Sequence, residues 1–282
     1  MVVRSFRAIA ALWVLAGCAS SGPTSTNATS STHAPVIASA TASVSASAEA
    51  PPPVCEATRE TGPYTLPFSE KGKRSVFFVA PKEAKCEVPR HRLIANLHGL
   101  CNPPGYACGY WTGAASARGF LVCPEGNSTC GPGGPPTWDE GFDAMDRDLE
   151  HAIDGVSSLY PTEVERRGAV LTGFSRGAYS APFIAAKHPG RWPYLVLVEA
   201  DVPLDAAMLK RAGVKAVALL AGDLGSQIQG ERATADKLRK QGFPAKFWPM
   251  KNAGHYYSAD IDALMGEAID WVIRQGEVAR DD

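Results

Sequence analysis

The chain has 282 residues, 45% of them hydrophobic and 20% charged. That is enough to bury a substantial core in one or two domains. Its 28 basic and 29 acidic residues leave a formal net charge of −1; with no long basic run, this excludes a strong field that would draw nucleic acid or repel an acidic substrate.

In chain order, "MVVRSFRAIAALWVLAGCAS" carries Arg4 and Arg7, then an apolar stretch from Ala8, then small residues. This is a secretory signal whose apolar segment is too short to span a bilayer as a mature helix. Its end, Leu15-Ala16-Gly17-Cys18, resembles the lipobox of bacterial lipoproteins. The resemblance implies removal of residues 1–17 and acylation of Cys18 as the new N-terminus. Ala19 in place of Asp after the cysteine implies the outer membrane of a Gram-negative envelope. Residues 18–53 are Ser, Thr, Ala and Pro with almost no charge. Such a segment cannot bury enough apolar area to offset chain ordering and is expected to be disordered. As a tether of about 35 residues it reaches on the order of 30–40 Å. The sequons "NAT" and "NST" are ones a bacterial lipoprotein does not normally use. The folded body is expected over 54–282.

Six cysteines lie in that body: Cys55, Cys86, Cys101, Cys108, Cys123 and Cys130. An even number in an exported chain points to disulfides, with fifteen pairings open to six cysteines. The sequence-local choice is Cys55–Cys86, Cys101–Cys108 and Cys123–Cys130, each adding roughly 2–3 kcal/mol in the chain-entropy model. A zinc site is the rival, but the spacings are not the usual C-x₂-C.

From about residue 64, short apolar runs alternate with amphipathic stretches. Strands are predicted at 75–81, 92–99, 120–126, 168–175, 194–201, 216–223 and 245–254. One helix carries Phe142, Met145, Leu149, Ile153 and Val156 at helical spacing. The last helix shows Ile261, Leu264, Met265, Ala268, Val272 and Ile273 on one face. Strands without polar alternation, separated by helices, predict a doubly wound, mostly parallel α/β sheet. Sites in such sheets form beyond the carboxyl ends of the strands. The residues expected there are His98–Gly99, the Cys123-Pro-Glu turn, Ser175, Asp201, Asp223 and His255.

"GFSRG" (173–177) is G-x-S-x-G between an apolar strand and a helical segment, the setting of a nucleophile elbow. Side chains at Gly173 and Gly177 would strike the neighbouring strand and helix. The bend pushes the Ser175 hydroxyl out of the sheet, above a helix N-terminus that favours developing negative charge. A serine needs a base. Of the six histidines, His33 is in the tether, His91 precedes a strand, His151 and His188 sit on or at the end of helices, and His98 belongs to the "LHG" turn. His255 alone follows a strand end downstream of the serine. The acid that orients the ring is Asp223 after the penultimate strand, or Asp201 one strand earlier. The oxyanion donors are expected to be the backbone N–H of Arg176 and that of Leu100, or of its neighbour Cys101, each worth roughly 3–4 kcal/mol to the barrier.

With LHG, GFSRG, a late Asp and GHYY in order, residues 64–275 resemble the α/β-hydrolase superfamily. Within it, "LHGLCNPPGYACGYWTGAASARGFLVCPEGN" followed by Trp138 is similar to the esterases grouped with poly(3-hydroxybutyrate) depolymerases and feruloyl esterases. The superfamily pattern puts its acid two or three positions beyond the strand-end glycine, where this chain has Leu224 and Gly225. That departure keeps Asp201 open. The resemblance implies ester hydrolysis through an acyl-serine intermediate, without cofactor or metal, on an ester or other acyl substrate. The short stretch 190–245 leaves no room for a large lid domain. Trp111, Trp138, Tyr256 and Tyr257 are aromatics near the site loops, for packing or for ligand stacking. A peptidase or amidase of the same fold, and a surface binding protein that has lost turnover, are the alternatives.

Overall fold

A computed structural model describes residues 59–67, 74–82, 90–139 and 141–278. The signal segment 1–17, Cys18, the tether 18–53 and the expected pair Cys55 and Cys86 lie outside the described residues.

The predicted apolar runs all form strands. They are β2 (Val76–Val79), β3 (His91–Leu97), β4 (Gly119–Pro124), β7 (Val164–Phe174), β8 (Tyr194–Val198), β9 (Ala216–Gly222) and β10 (Ala245–Met250). A further strand, β1 (Tyr64–Leu66), completes one eight-stranded sheet in the order β1-β2-β4-β3-β7-β8-β9-β10. β1, β2 and β4 pair antiparallel, and every pair from β4 to β10 is parallel. A separate two-stranded ribbon joins β5 (Ser128–Thr129) to β6 (Pro136–Thr137). Because the strands from β4 to β10 are parallel, their carboxyl ends share one edge of the sheet.

The continuous apolar runs follow from helices on both faces. α3 (Phe142–Leu159), α4 (Arg176–Lys187), α5 (Ala206–Arg211) and α6 (Ile228–Lys240) cover one face; α1 (Pro104–Gly109), α2 (Thr112–Ser116) and α7 (Ile261–Val278) cover the other. Alternate strand residues therefore enter two different cores. Leu171, Leu195, Leu197 and Leu219 pack with α3–α6, while Val170, Val196, Val198 and Leu220 pack with α7 and its neighbours. On α3 the predicted stripe is buried at Met145, Leu149, Ile153 and Val156, but Phe142 stays 40% exposed and stacks on Phe183 at 4.6 Å. The β8–β9 connection holds only the six-residue α5, so no large lid is built there.

The expected pairs Cys101–Cys108 and Cys123–Cys130 do not form. Cys101 pairs with Cys130 (Cα–Cα 5.5 Å) and Cys108 with Cys123 (6.8 Å). Environment explains the exchange. Cys108 on α1 and Cys123 on β4 are both buried in the core under α7. Cys101 is exposed in the turn after β3, beside the ribbon that carries Cys130. Helix α1 begins after Cys101 and carries Cys108 on its inward face. The loops closed span 29 and 15 residues, each enough for about 3 kcal/mol or more in the chain-entropy model.

Candidate active site

β7 ends at Phe174 and α4 begins at Arg176, which leaves Ser175 alone in the bend. Its φ of 51° and ψ of −117° are a strained combination for a side chain with a Cβ. Close packing around the bend holds it. A Cβ at Gly177 would lie 1.8 Å from the Leu97 carbonyl oxygen, and one at Gly173 would lie 2.5 Å from the Ala178 nitrogen. Both positions must be glycine if β3, β7 and α4 are to approach this closely. The Ser175 N–H donates to the Val198 carbonyl at 2.8 Å, which ties the bend to the end of β8.

His255 lies in the loop after β10. Its Nε2 is 2.9 Å from the Ser175 hydroxyl oxygen and its Nδ1 is 3.1 Å from a Glu199 carboxylate oxygen. Carboxylate on one side and hydroxyl on the other select the tautomer that donates from Nδ1 and accepts at Nε2. Glu199 immediately follows β8 and is fully buried. Its other oxygen accepts the Gly222 N–H. Its own N–H donates to the Leu220 carbonyl at 2.9 Å, and its φ is 59°. Burial pushes the Glu199 carboxyl above its usual range, against the pull of the Gly222 N–H and the nearby His255.

The structure therefore brings Ser175 and His255 together but puts Glu199, not Asp223 or Asp201, on the second ring nitrogen. Asp223 is exposed just past β9, where its backbone N–H bonds the Met250 carbonyl at 2.9 Å. Asp201 is exposed and accepts from the Tyr179 hydroxyl. That hydroxyl is pushed up to about 12, by burial first and by Asp201 next. Glu199 stands two residues before Asp201. It was missed because the predicted strand ran through 201, whereas the ladder stops at Val198. The available signal was an acidic residue directly after five apolar ones, since a carboxylate is rarely fully buried without a task.

The turn after β3 passes against the serine: a Cβ at Gly99 would lie 3.2 Å from the Ser175 Cβ. Side chains hold this turn on both sides. The buried His98 ring bonds the Gly99 and Glu125 carbonyls at 2.7 and 2.8 Å, and burial lowers its pKa. Trp138 stacks on that ring at 4.6 Å and donates its indole N–H to the His98 carbonyl at 2.9 Å. The Cys101 N–H donates to the Thr137 hydroxyl at 3.2 Å. Cys101 is thus engaged, while Leu100, between it and Gly99, is 55% exposed. The Arg176 N–H opens α4 directly after Ser175. An N–H pair at a helix start and a fixed turn is the chemistry of an oxyanion hole.

The flanking aromatics divide by role. Trp111 and Trp138 are buried, and Tyr257 is buried with its hydroxyl on the Ala107 carbonyl. These three pack the loops. Phe174 links the His255 ring (5.4 Å) to Tyr257 (4.9 Å), and Tyr257 stacks on Tyr106 at 5.7 Å. Tyr110 and Tyr256, 56% and 48% exposed, are the aromatics left at the surface. Among the described residues, no group of three or more His, Cys, Asp or Glu side chains has metal-ligand geometry.

No family model matches the chain, and no curated protein matches it in sequence. Solved structures do match. The substrate-bound fluorophosphonate-binding serine hydrolase F of Staphylococcus aureus superposes with a TM-score of 0.54 at 14% identity, over 74% of this chain and 97% of that one. A ferulic acid esterase gives 0.54 at 14% identity, over 75% and 96%. A protein of unknown function from Agrobacterium tumefaciens, described as a putative α/β hydrolase, gives 0.54 at 18% identity, over 76% and 97%. At these identities the likeness is one of fold. This chain has the α/β-hydrolase fold, with its serine, histidine and buried glutamate on three loops at one edge of the sheet.

Proposed function

We propose that the protein is a serine hydrolase of carboxylic esters that works through an acyl-serine intermediate, with Ser175 as nucleophile, His255 as general base and Glu199 as the triad acid. The observation that carries the reading is the relay from Ser175 Oγ through His255 to Glu199, with contacts of 2.9 and 3.1 Å. His255 Nε2 takes the hydroxyl proton as Ser175 Oγ attacks the acyl carbon. Glu199 holds the Nδ1–H and balances the imidazolium that forms. The carbonyl oxygen becomes an oxyanion against the N–H groups of Arg176 and Leu100. The ring then hands its proton to the departing alkoxide, the C–O bond breaks, and acyl-serine remains. Water, deprotonated by the same ring, releases the acid and restores the hydroxyl.

Glutamate serves where aspartate was expected because it comes directly off the end of β8, whereas Asp201 lies two residues further along and Asp223 lies past β9. Support for ester over amide chemistry comes from the motif resemblance and from the ferulic acid esterase among the matched structures. In the same reading the lipobox ending at Cys18 attaches the enzyme to the bacterial envelope by a lipid, the outer membrane by virtue of Ala19. The test is a fluorophosphonate probe together with p-nitrophenyl esters and aminoacyl p-nitroanilides. The reading requires labelling of Ser175, loss of labelling in His255→Ala, and turnover of esters well above amides. Faster amide cleavage would make it an amidase, and folded protein that neither labels nor turns over would make it a binding module.

A further inference from the structure

Glu231, in the first turn of α6, is fully buried, yet among the described residues no cation pairs with it. One oxygen accepts the Ala200 N–H at 2.5 Å, and the other is buried without a partner. A carboxylate in such a place is costly unless it is neutral or committed to a task. Ala200 is the peptide directly after Glu199. At Glu199 the backbone turns to φ 59°, which takes the next N–H out of the β8–β9 ladder. A buried N–H turned out of a ladder needs another acceptor, and Glu231 supplies it. The neighbouring Gly230 leaves room for this contact, since a Cβ there would lie 2.5 Å from the Asp201 Cβ. The first turn of α6 is thus built against the three residues that begin with the triad acid.

We propose that Glu231 is a positioning residue, whose carboxyl oxygen on the Ala200 N–H fixes the turn that aims Glu199 at His255. The inference rests on the hydrolase reading above. Burial raises the pKa of Glu231 well above the usual range against the pull of the Ala200 N–H, and the two ionisable groups acting on it, Glu199 and Asp201, are both acids that raise it further. Beyond Glu199 the next titratable ring is His255. A second negative charge beside Glu199 would work against the ionised form that the relay uses; a neutral carboxyl holds the turn and leaves the one charge to Glu199.

The test uses Glu231→Gln, Glu231→Asp and Glu231→Leu in the full-length chain, with kcat, KM and the pH dependence of kcat/KM measured per folded molecule on p-nitrophenyl butyrate. Glutamine keeps the acceptor and the volume, so it rescues: kcat within about threefold of wild type and an unmoved acidic limb. Aspartate withdraws the oxygen by one methylene and lowers kcat by about tenfold or more, and leucine, which has no acceptor, by roughly 10²-fold. In both, KM changes little and the acidic limb moves, because His255 loses its fixed partner. A merely structural glutamate would lower the melting temperature and the folded yield while kcat per folded molecule and the pH profile stayed put; that result overturns the proposal. A tenfold loss in Glu231→Gln overturns it as well, since the charge and not the acceptor would then matter. If leucine does not fold, the glutamine and aspartate variants decide. Wild-type protein that neither labels nor turns over sinks the hydrolase reading itself; an active wild type with unaffected variants sinks only this inference.

Discussion

Replacing Glu199 by glutamine changes one atom in a fully buried site and leaves the turn intact. The Gly222 N–H keeps its acceptor, because the glutamine carbonyl oxygen can stay where the carboxylate oxygen was. The amide N–H₂ then faces His255 Nδ1, which sits 3.1 Å from the oxygen it replaces. A donor there forces Nδ1 to accept, so Nε2 carries the proton and points it at Ser175. The base is lost and so is the charge that balances the imidazolium. A unit pair about 4 Å apart is worth about 4 kcal/mol at an effective dielectric constant of about 20. With the wrong tautomer added, the loss is expected near 10⁴-fold in kcat, about 5.5 kcal/mol, the scale seen when a triad acid becomes an amide. Steady-state hydrolysis of p-nitrophenyl butyrate reads it, beside Asp223→Asn and Asp201→Asn, which should each stay within about tenfold of wild type. The variant should be at least as stable as wild type, since burial already disfavours the ionised Glu199. Near-normal kcat in Glu199→Gln, or a collapse in Asp223→Asn or Asp201→Asn, would refute the assignment of the acid.

Glu231 also makes a prediction about stability. Its folded pKa is raised well above its unfolded value, so its stabilising contribution is complete below about pH 4.3 and is lost as pH rises through the folded pKa. Wild type takes up a proton on folding in that window, at up to about 1.4 kcal/mol per pH unit. Denaturant titrations should therefore show Glu231→Gln gaining on wild type from about pH 5 upward, and parallel curves would contradict this. Removing the Cys101–Cys130 bridge as a double serine variant loosens the turn that presents the Leu100 N–H. One lost oxyanion donor costs roughly 10²–10³-fold in kcat, so a partial loss of about tenfold with KM nearly unchanged is expected; unchanged kcat would remove Leu100 from that role. Cys18→Ser should shift the protein from the membrane pellet to the soluble fraction on cell fractionation, and a variant that still sediments with the envelope would rule out the lipid anchor.

Much of the architecture was legible because both faces of the sheet are covered. The second half of β7, and β8 and β9, are buried on consecutive residues, a pattern a half-exposed strand does not show. Ser175 was legible for a steric reason: glycines on either side of it have no room for a Cβ. Glu199 was not, since only the pairing register tells that β8 stops at Val198, and a glutamate was not sought where aspartates stood nearby. The disulfide partners depend on which way Cys108 faces on α1, a tertiary fact that spacing along the chain does not contain. β1 and the β5–β6 ribbon are three and two residues per strand, too short for alternation to register. The supports of the turn after β3, Thr137 and Trp138, act across almost forty residues of chain and leave no local pattern.

The most direct measurement is a crystal structure of the protein after reaction with an alkyl fluorophosphonate. The expected density is continuous from Ser175 Oγ to phosphorus, with the phosphoryl oxygen about 2.7–3.1 Å from the N–H groups of Arg176 and Leu100, and the His255 ring still bonded to Glu199. Density on another residue, or a His255 ring turned to Asp223 or Asp201, would contradict the Ser175–His255–Glu199 relay.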